Sequence, residues 1–196
     1  MTALDTNPAP GRATWRRAVK GLAIVAAVVV LSLGGYLGAL QLTGNIHVVE
    51  QGQLYRSAQL NQGEFEHVIG EYGIKSIVNL RGAHPTDTWY VDEIGVSRAR
   101  GVMHYDIGIS AERVVTPAQI ESILAVLRAA PKPILIHCQG GADRSGLVAA
   151  LYEAVIEGKS VDEADGQLSL RYGHFPYLGS KTGAMDQSYW AYVDAR

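Results

Sequence analysis

The strongest constraint on this chain is one passage of strand, loop and helix. The apolar stretch Pro133-Ile134-Leu135-Ile136-His137 runs directly into Cys138-Gln139-Gly140-Gly141-Ala142-Asp143-Arg144, and residues 145–157 then continue as a helix that is apolar on nearly every side. A helix apolar all round belongs inside a domain, so this one is expected at the centre of the fold.

The flanking sequence supplies the partners. Residues 46–50 and 53–57 form two short strands around a Gln51-Gly52 turn. Asn61 caps a helix to about residue 72, and Gly73 stops it. Residues 74–80 and 102–107 are strands, and 87–100 is a helix between them. Thr116-Pro117 opens another helix, with Ile120, Ile123, Leu124 and Leu127 on one face. Two more helices are expected near 160–172 and 182–195. Strands alternating with helices indicate an α/β domain over residues 46–196, its central, mostly parallel sheet flanked by helices.

Ahead of it lies a different kind of segment. Residues 21–42 carry no charge. As a helix they would extend about 33 Å, enough for a hydrocarbon core of about 30 Å. Arg12, Arg16, Arg17 and Lys20 stand on the N-terminal side, whereas the other flank is neutral until Glu50. Positive charge keeps residues 1–20 in the cytoplasm and sends the domain outward, into the periplasm of a bacterial cell. A cleaved secretory signal is the competing reading. Gly38-Ala39-Leu40 makes a poor cleavage site, and an uncleaved transmembrane signal-anchor is expected.

Composition narrows the chemistry. Hydrophobic residues make up 47% and charged residues 18%, as in a globular body rather than a disordered one. A net charge of −2, with no basic stripe beyond the N-terminus, gives no case for nucleic acid. A single cysteine excludes a disulfide framework and a multi-cysteine zinc site. Cys138 is then either an inert buried thiol or a reactive one.

The loop favours reactivity. A strand–loop–helix passage turns successive backbone N–H groups inward, and the helix N-terminus adds its positive end. Gly140 and Gly141 allow the close approach that a cradled phosphate demands. Arg144 can grip two phosphate oxygens with its planar fork. The same positive surroundings favour the thiolate of Cys138, the form that attacks phosphorus. Ser145 can donate to that sulfur as it leaves, and His137 orients the loop.

The stretch His137-Cys138-Gln139-Gly140-Gly141-Ala142-Asp143-Arg144-Ser145 resembles the H-C-x5-R-S/T signature of the protein tyrosine phosphatase superfamily, and most closely its small dual-specificity members. The segments Leu54-Tyr55-Arg56-Ser57-Ala58-Gln59 and Tyr72-Gly73-Ile74-Lys75-Ser76-Ile77-Val78-Asn79-Leu80-Arg81 are similar to segments of an atypical bacterial, fungal and plant branch. The resemblance spans about residues 48–172. It implies a phosphomonoester hydrolase working through a cysteinyl-phosphate, without metal or organic cofactor. Cys138 would attack, and residues 139–144 (Gln139, Gly140, Gly141, Ala142, Asp143 and Arg144) would hold the phosphoryl group. Ser145 would assist thiolate departure.

The proton donor implied is Asp106, at a strand end 32 positions before Cys138, with Asp143 as its rival. Arg56 and Arg81 would either extend the phosphate site or tie loops down through carboxylates. His104 is expected to be structural, and Tyr172, Tyr177, Tyr189 and Trp190 to be C-terminal packing. Gln139, Ala142 and Asp143 bring no lysine to the loop. A singly phosphorylated tyrosine, serine or threonine is therefore preferred over a phosphoinositide or inositol polyphosphate. The alternatives are a rhodanese-like sulfurtransferase and a non-catalytic phospho-binding module.

Overall fold

The computed structural model describes residues 12–196. The cytoplasmic placement expected for residues 1–11 lies outside the described residues. The chain divides into two compact units, the second being Leu40–Arg196. The first ends at Ala39 and holds most of helix α1 (Arg12–Leu42). By length and composition this helix could cross a membrane, and none of its most apolar window is buried.

The second unit contains a five-stranded sheet in the order β1-β2-β5-β3-β4. Its strands are β1 (His47–Glu50), β2 (Leu54–Ser57), β3 (Ser76–Asn79), β4 (Met103–Asp106) and β5 (Ile134–His137). All pairs are parallel except β1 with β2, which follow one another through a tight turn. Side chains alternate across each strand. Leu54, Val78, Ile134 and Ile136 enter a core on one face, whereas Tyr55, Ile77 and Leu135 enter a second core on the other.

Local sequence signals account for the covering helices. Asn61 and Glu64 form a reciprocal capping box at the start of α2 (Gln62–Tyr72), and Gly73 ends it in the left-handed conformation. Phe65, Val68 and Ile69 of α2 and Val96 of α3 (Thr88–Arg100) fill the second core. Thr116 and Gln119 make the same box for α4 (Pro117–Ala129), whose Ile120, Ile123, Leu124 and Leu127 are wholly buried on the first face. There α4 is joined by α5 (Asp143–Leu151) and α7 (Ala184–Val193). Every residue of α5 from Ser145 onward is buried, as its apolar sequence requires.

Two expected helices are shorter than their sequence pattern. The stretch 145–157 opens into a π-turn at Tyr152–Ile156. The stretch 160–172 is helical only as α6 (Val161–Asp165), before a 3-10 turn at Leu170–Tyr172. Tertiary contact overrides propensity here. Gln167 leaves the helix to place its backbone carbonyl and side-chain oxygen on Arg56.

Parallel register sets the geometry of the site. Ser57 and Asn79 both stand level with His137, and Asp106 stands level with Asn79. Four strand ends thus share one edge, where ligands gather in open parallel sheets.

Candidate active site

Cys138 follows β5 at this edge and is 2% exposed. Beside it lies a cleft of about 430 Å³, lined by Gln139, Gly140, Ala142, Asp143 and Arg144 of the loop and by Gln41 and Glu112 from elsewhere. Among the described residues, the backbone N–H groups of residues 139–142 find no protein acceptor. The N-terminus of α5 adds its dipole. Among the described residues, Arg144 makes two long contacts, from Nη1 to the carbonyls of Leu80 and Ile109 at 3.4 Å each, and its buried Nε has no partner. Ser145 Oγ is likewise buried and unpartnered. Buried donors are ordinarily satisfied. This concentration of free donors in the loop that follows Cys138 suits an anion with several acceptor oxygens.

The loop is braced from behind. Gly141 has φ +68, and a Cβ there would sit 2.5 Å from Ala58 N. Gly140 needs no such freedom, because its nearest neighbour would be Gln41 Nε2 at an ordinary 3.6 Å. Its carbonyl instead accepts from Gln41 Nε2 at 3.1 Å and Asn45 Nδ2 at 2.9 Å. The expectation that both glycines are required therefore narrows to Gly141.

Arg56 corrects a second expectation. It is fully buried, neither in the cleft nor paired with a carboxylate. Its Nη2 donates to the carbonyls of Gly141 and Ala142, both at 2.9 Å, and its Nη1 to both oxygens of Gln167 at 2.8 Å. Tyr172 covers the guanidinium at 4.2 Å. Burial lowers its pKa to about 10, although the sulfur of Cys138 works in the opposite direction. Arg81 is tied to Gln59 Oε1 at 2.8 Å and stacks on Trp89 at 3.6 Å, also outside the cleft.

His137 meets a residue that sequence reasoning missed. Glu93, wholly buried on α3, accepts from His137 Nε2 at 2.9 Å, His104 Nε2 at 2.7 Å and Gln59 Nε2 at 3.0 Å. Burial pushes this carboxyl up, but the hydrogen bonds from the two histidines and Gln59 hold it down to about 2. His137, expected to orient the loop, and His104, expected to be structural, thus share one hydrogen-bonding carboxylate. No sequence signal distinguishes it from an ordinary surface glutamate on a helix.

The two expected proton donors are both engaged. Asp106 Oδ1 accepts from Asn79 Nδ2 at 2.8 Å and Oδ2 from Tyr90 Oη at 2.5 Å. The bond to Asp106 raises the Tyr90 phenol to about 12. Asp106 does not line the cleft. Its strand is two places from β5 in the sheet order, a lateral offset of about 9–10 Å. Asp143 does line the cleft, but Oδ1 is 2.7 Å from Nδ1 of the buried His174, whose Nε2 is 2.9 Å from Asp186 Oδ2. Burial works to lower the pKa of His174, yet the two carboxylates raise it above 6.5.

Of the expected packing aromatics, Tyr172 and Tyr189 are buried and Trp190 is half-buried, but Tyr177 is 67% exposed. Among the described residues no cluster of side chains could hold a metal ion.

The profile of the tyrosine phosphatase family matches residues 32–162. No curated protein matches the chain. Among solved structures, TpbA from P. aeruginosa is 24% identical with a TM-score of 0.58, over 76% of this chain and 91% of that one. A TpbA variant in complex with pTyr gives 24% and 0.57, over 77% and 91%. The core catalytic domain of the PP-IP phosphatase SIW14 from S. cerevisiae, with citrate, is 21% identical with a TM-score of 0.58, over 72% and 83%. At these identities the likeness is one of fold.

Proposed function

The chain belongs to the tyrosine phosphatase family, and from that premise we propose that it hydrolyses phosphate monoesters through a cysteinyl-phosphate on Cys138. The observation that carries this reading is the set of unsatisfied donors, among the described residues, that follows Cys138 in the loop: the N–H groups of residues 139–142, Arg144 Nε and Ser145 Oγ. Held in place before substrate arrives, they stabilise charge on a phosphoryl group in transfer without reorganising. Cys138 Sγ attacks phosphorus in line with the leaving oxygen, and Arg144 spans two equatorial oxygens. Ser145 then donates to the sulfur when water displaces it. His137, Glu93 and Arg56 hold the loop and do not touch substrate.

The substrate preferred is a phosphoester with a single phosphate, on tyrosine, serine or threonine. Arg144 is the only cation of the loop, and no lysine is present to meet a second phosphate. The TpbA variant's complex with pTyr supports this choice, whereas the PP-IP activity named for SIW14 supports the inositol alternative. Helix α1 is read as an uncleaved anchor with the domain outside the cytoplasm, on its length and the basic residues before it. Protease added to spheroplasts should then digest the domain, and a protected domain overturns that topology.

The test of the reaction is acid-quenched turnover of ³²P-labelled substrate. A phosphoryl group should be trapped on the wild-type protein and should be absent in Cys138→Ser, which loses phosphate release while still binding inorganic phosphate. Release of phosphate by Cys138→Ser at the wild-type rate would rule the mechanism out. Phosphotyrosine peptides, phosphoserine peptides, phosphoinositides and inositol pyrophosphates compared side by side rank the substrate classes.

A further inference from the structure

We propose that Glu112, on the loop between β4 and α4, donates the proton to the leaving oxygen. The inference rests on the phosphatase reading above and replaces both aspartates expected from sequence.

Three carboxylates compete for the role. Asp106 has each oxygen committed, to Asn79 and Tyr90, and lies off the cleft. Asp143 lines the cleft, but its Oδ1 is held by the buried His174 at 2.7 Å. Glu112 shares the cleft with Cys138 and Arg144. Among the described residues its carboxylate meets only Lys181 Nζ, at 3.7 Å, and its side chain is 62% exposed.

The loop is built to hold that position. Its entry is pinned where Ile107 N donates to Asn79 O at 2.8 Å and Ile109 N to Leu80 O at 3.3 Å. Its exit is pinned where Val115 N donates to the buried Ser188 Oγ at 2.8 Å. Ile109 and Val115 are both buried, so the intervening tip alone projects. Glu112 N donates to Ser110 Oγ at 3.2 Å within that tip. The Ile109 carbonyl also accepts from Arg144 Nη1 at 3.4 Å, which ties the loop to the phosphate-gripping arginine.

The step balances. As the S–P bond forms and the P–O bond of the ester breaks, the Glu112 carboxyl proton passes to the departing oxygen, leaving an alcohol or phenol and a carboxylate. That carboxylate next takes a proton from water as its oxygen attacks phosphorus. The S–P bond breaks, inorganic phosphate forms, and the thiolate and the carboxylic acid are restored.

A proton donor matters most when the leaving group is poor. The full-length protein in detergent is assayed on aryl phosphates running from dinitrophenyl to unsubstituted phenyl. Glu112→Gln should lower kcat/KM for phenyl phosphate by about 10²- to 10⁴-fold and leave dinitrophenyl phosphate within a few-fold. It should also remove the fall in kcat/KM toward basic pH for the poor leaving group. The charged groups facing Glu112 in that profile are Lys181, Asp143 and Arg144. A uniform loss across the series, an unchanged slope in Glu112→Gln, or a steeper slope in Asp106→Asn or Asp143→Asn overturns the assignment. The thermal midpoint separates misfolding from lost chemistry, and an unfolded variant is replaced by Glu112→Ala. Wild-type protein that turns over no member of the series would instead bring down the phosphatase reading, and this inference with it.

Discussion

Arg56 Nη2 donates to the Gly141 carbonyl at 2.9 Å from a side chain with no solvent exposure. The cation therefore acts on the loop from its inner side, holding these carbonyls away from the cleft and leaving the N–H groups to face it. Replacement by methionine strips the Gly141 carbonyl and both oxygens of Gln167 of the donors they have in Arg56, and leaves the Ala142 carbonyl with the Gly146 N–H at 3.0 Å. Arg56→Met should cost about 3 kcal/mol or more and remove activity. Arg56→Lys should not rescue it, because an ammonium cannot span those acceptors as the planar fork does. Urea midpoints with an unchanged slope measure the stability loss, and kcat/KM reports the site.

The two loop glycines should separate cleanly. Gly141→Ala forces a Cβ to 2.5 Å from Ala58 N at φ +68, where L residues are strained by about 1–2 kcal/mol before any clash. We expect at least a tenfold loss of vanadate affinity. Gly140→Ala meets nothing closer than 3.6 Å and should bind vanadate within a few-fold of wild type. Isothermal titration of both variants makes the comparison.

Glu93 predicts an acid limb in stability. Its pKa in the folded protein, held at about 2, lies below the ordinary 4.5. A lowered carboxyl stabilises fully above 4.5, and that contribution drains as pH falls toward 2. Glu93→Gln should be less stable than wild type by about 1–3 kcal/mol at pH 7, and the gap should narrow below pH 4.5. Chemical denaturation at pH 7, 4 and 3 reads it directly.

His174 predicts the opposite sign. Its pKa is raised above 6.5 despite burial, by Asp143 and Asp186. The stabilisation is complete below 6.5 and is lost as pH rises through the higher folded-state value. The difference in thermal midpoint between wild type and His174→Asn should therefore be larger at pH 6 than at pH 9. An equal difference at both would show that the imidazolium contributes nothing.

Much of the scaffold is legible along the chain because it is local. The capping boxes at Asn61 and Thr116 each lie within four residues, and the apolar spacing of Ile120, Ile123, Leu124 and Leu127 dictates a buried face. The strand–loop–helix passage through Cys138 also follows from its own residues. The helix expected over 160–172 fails for a non-local reason, since Gln167 is claimed by Arg56, 111 positions away. Glu93 gave no sign of itself, because its partners His104, His137 and Gln59 come from three other segments.

The sequence by itself determined the α/β alternation, the nucleophile Cys138 as candidate, and its arginine, since each depends on neighbours in the chain. Only the tertiary structure decided which carboxylates share the cleft with Cys138. Asp106 ends a strand level with Asn79, and Tyr90 and Asn79 hold it there. The loop that follows carries Glu112 back to the cleft instead. That choice rests on sheet register and on hydrogen bonds between distant segments, and no local pattern encodes either.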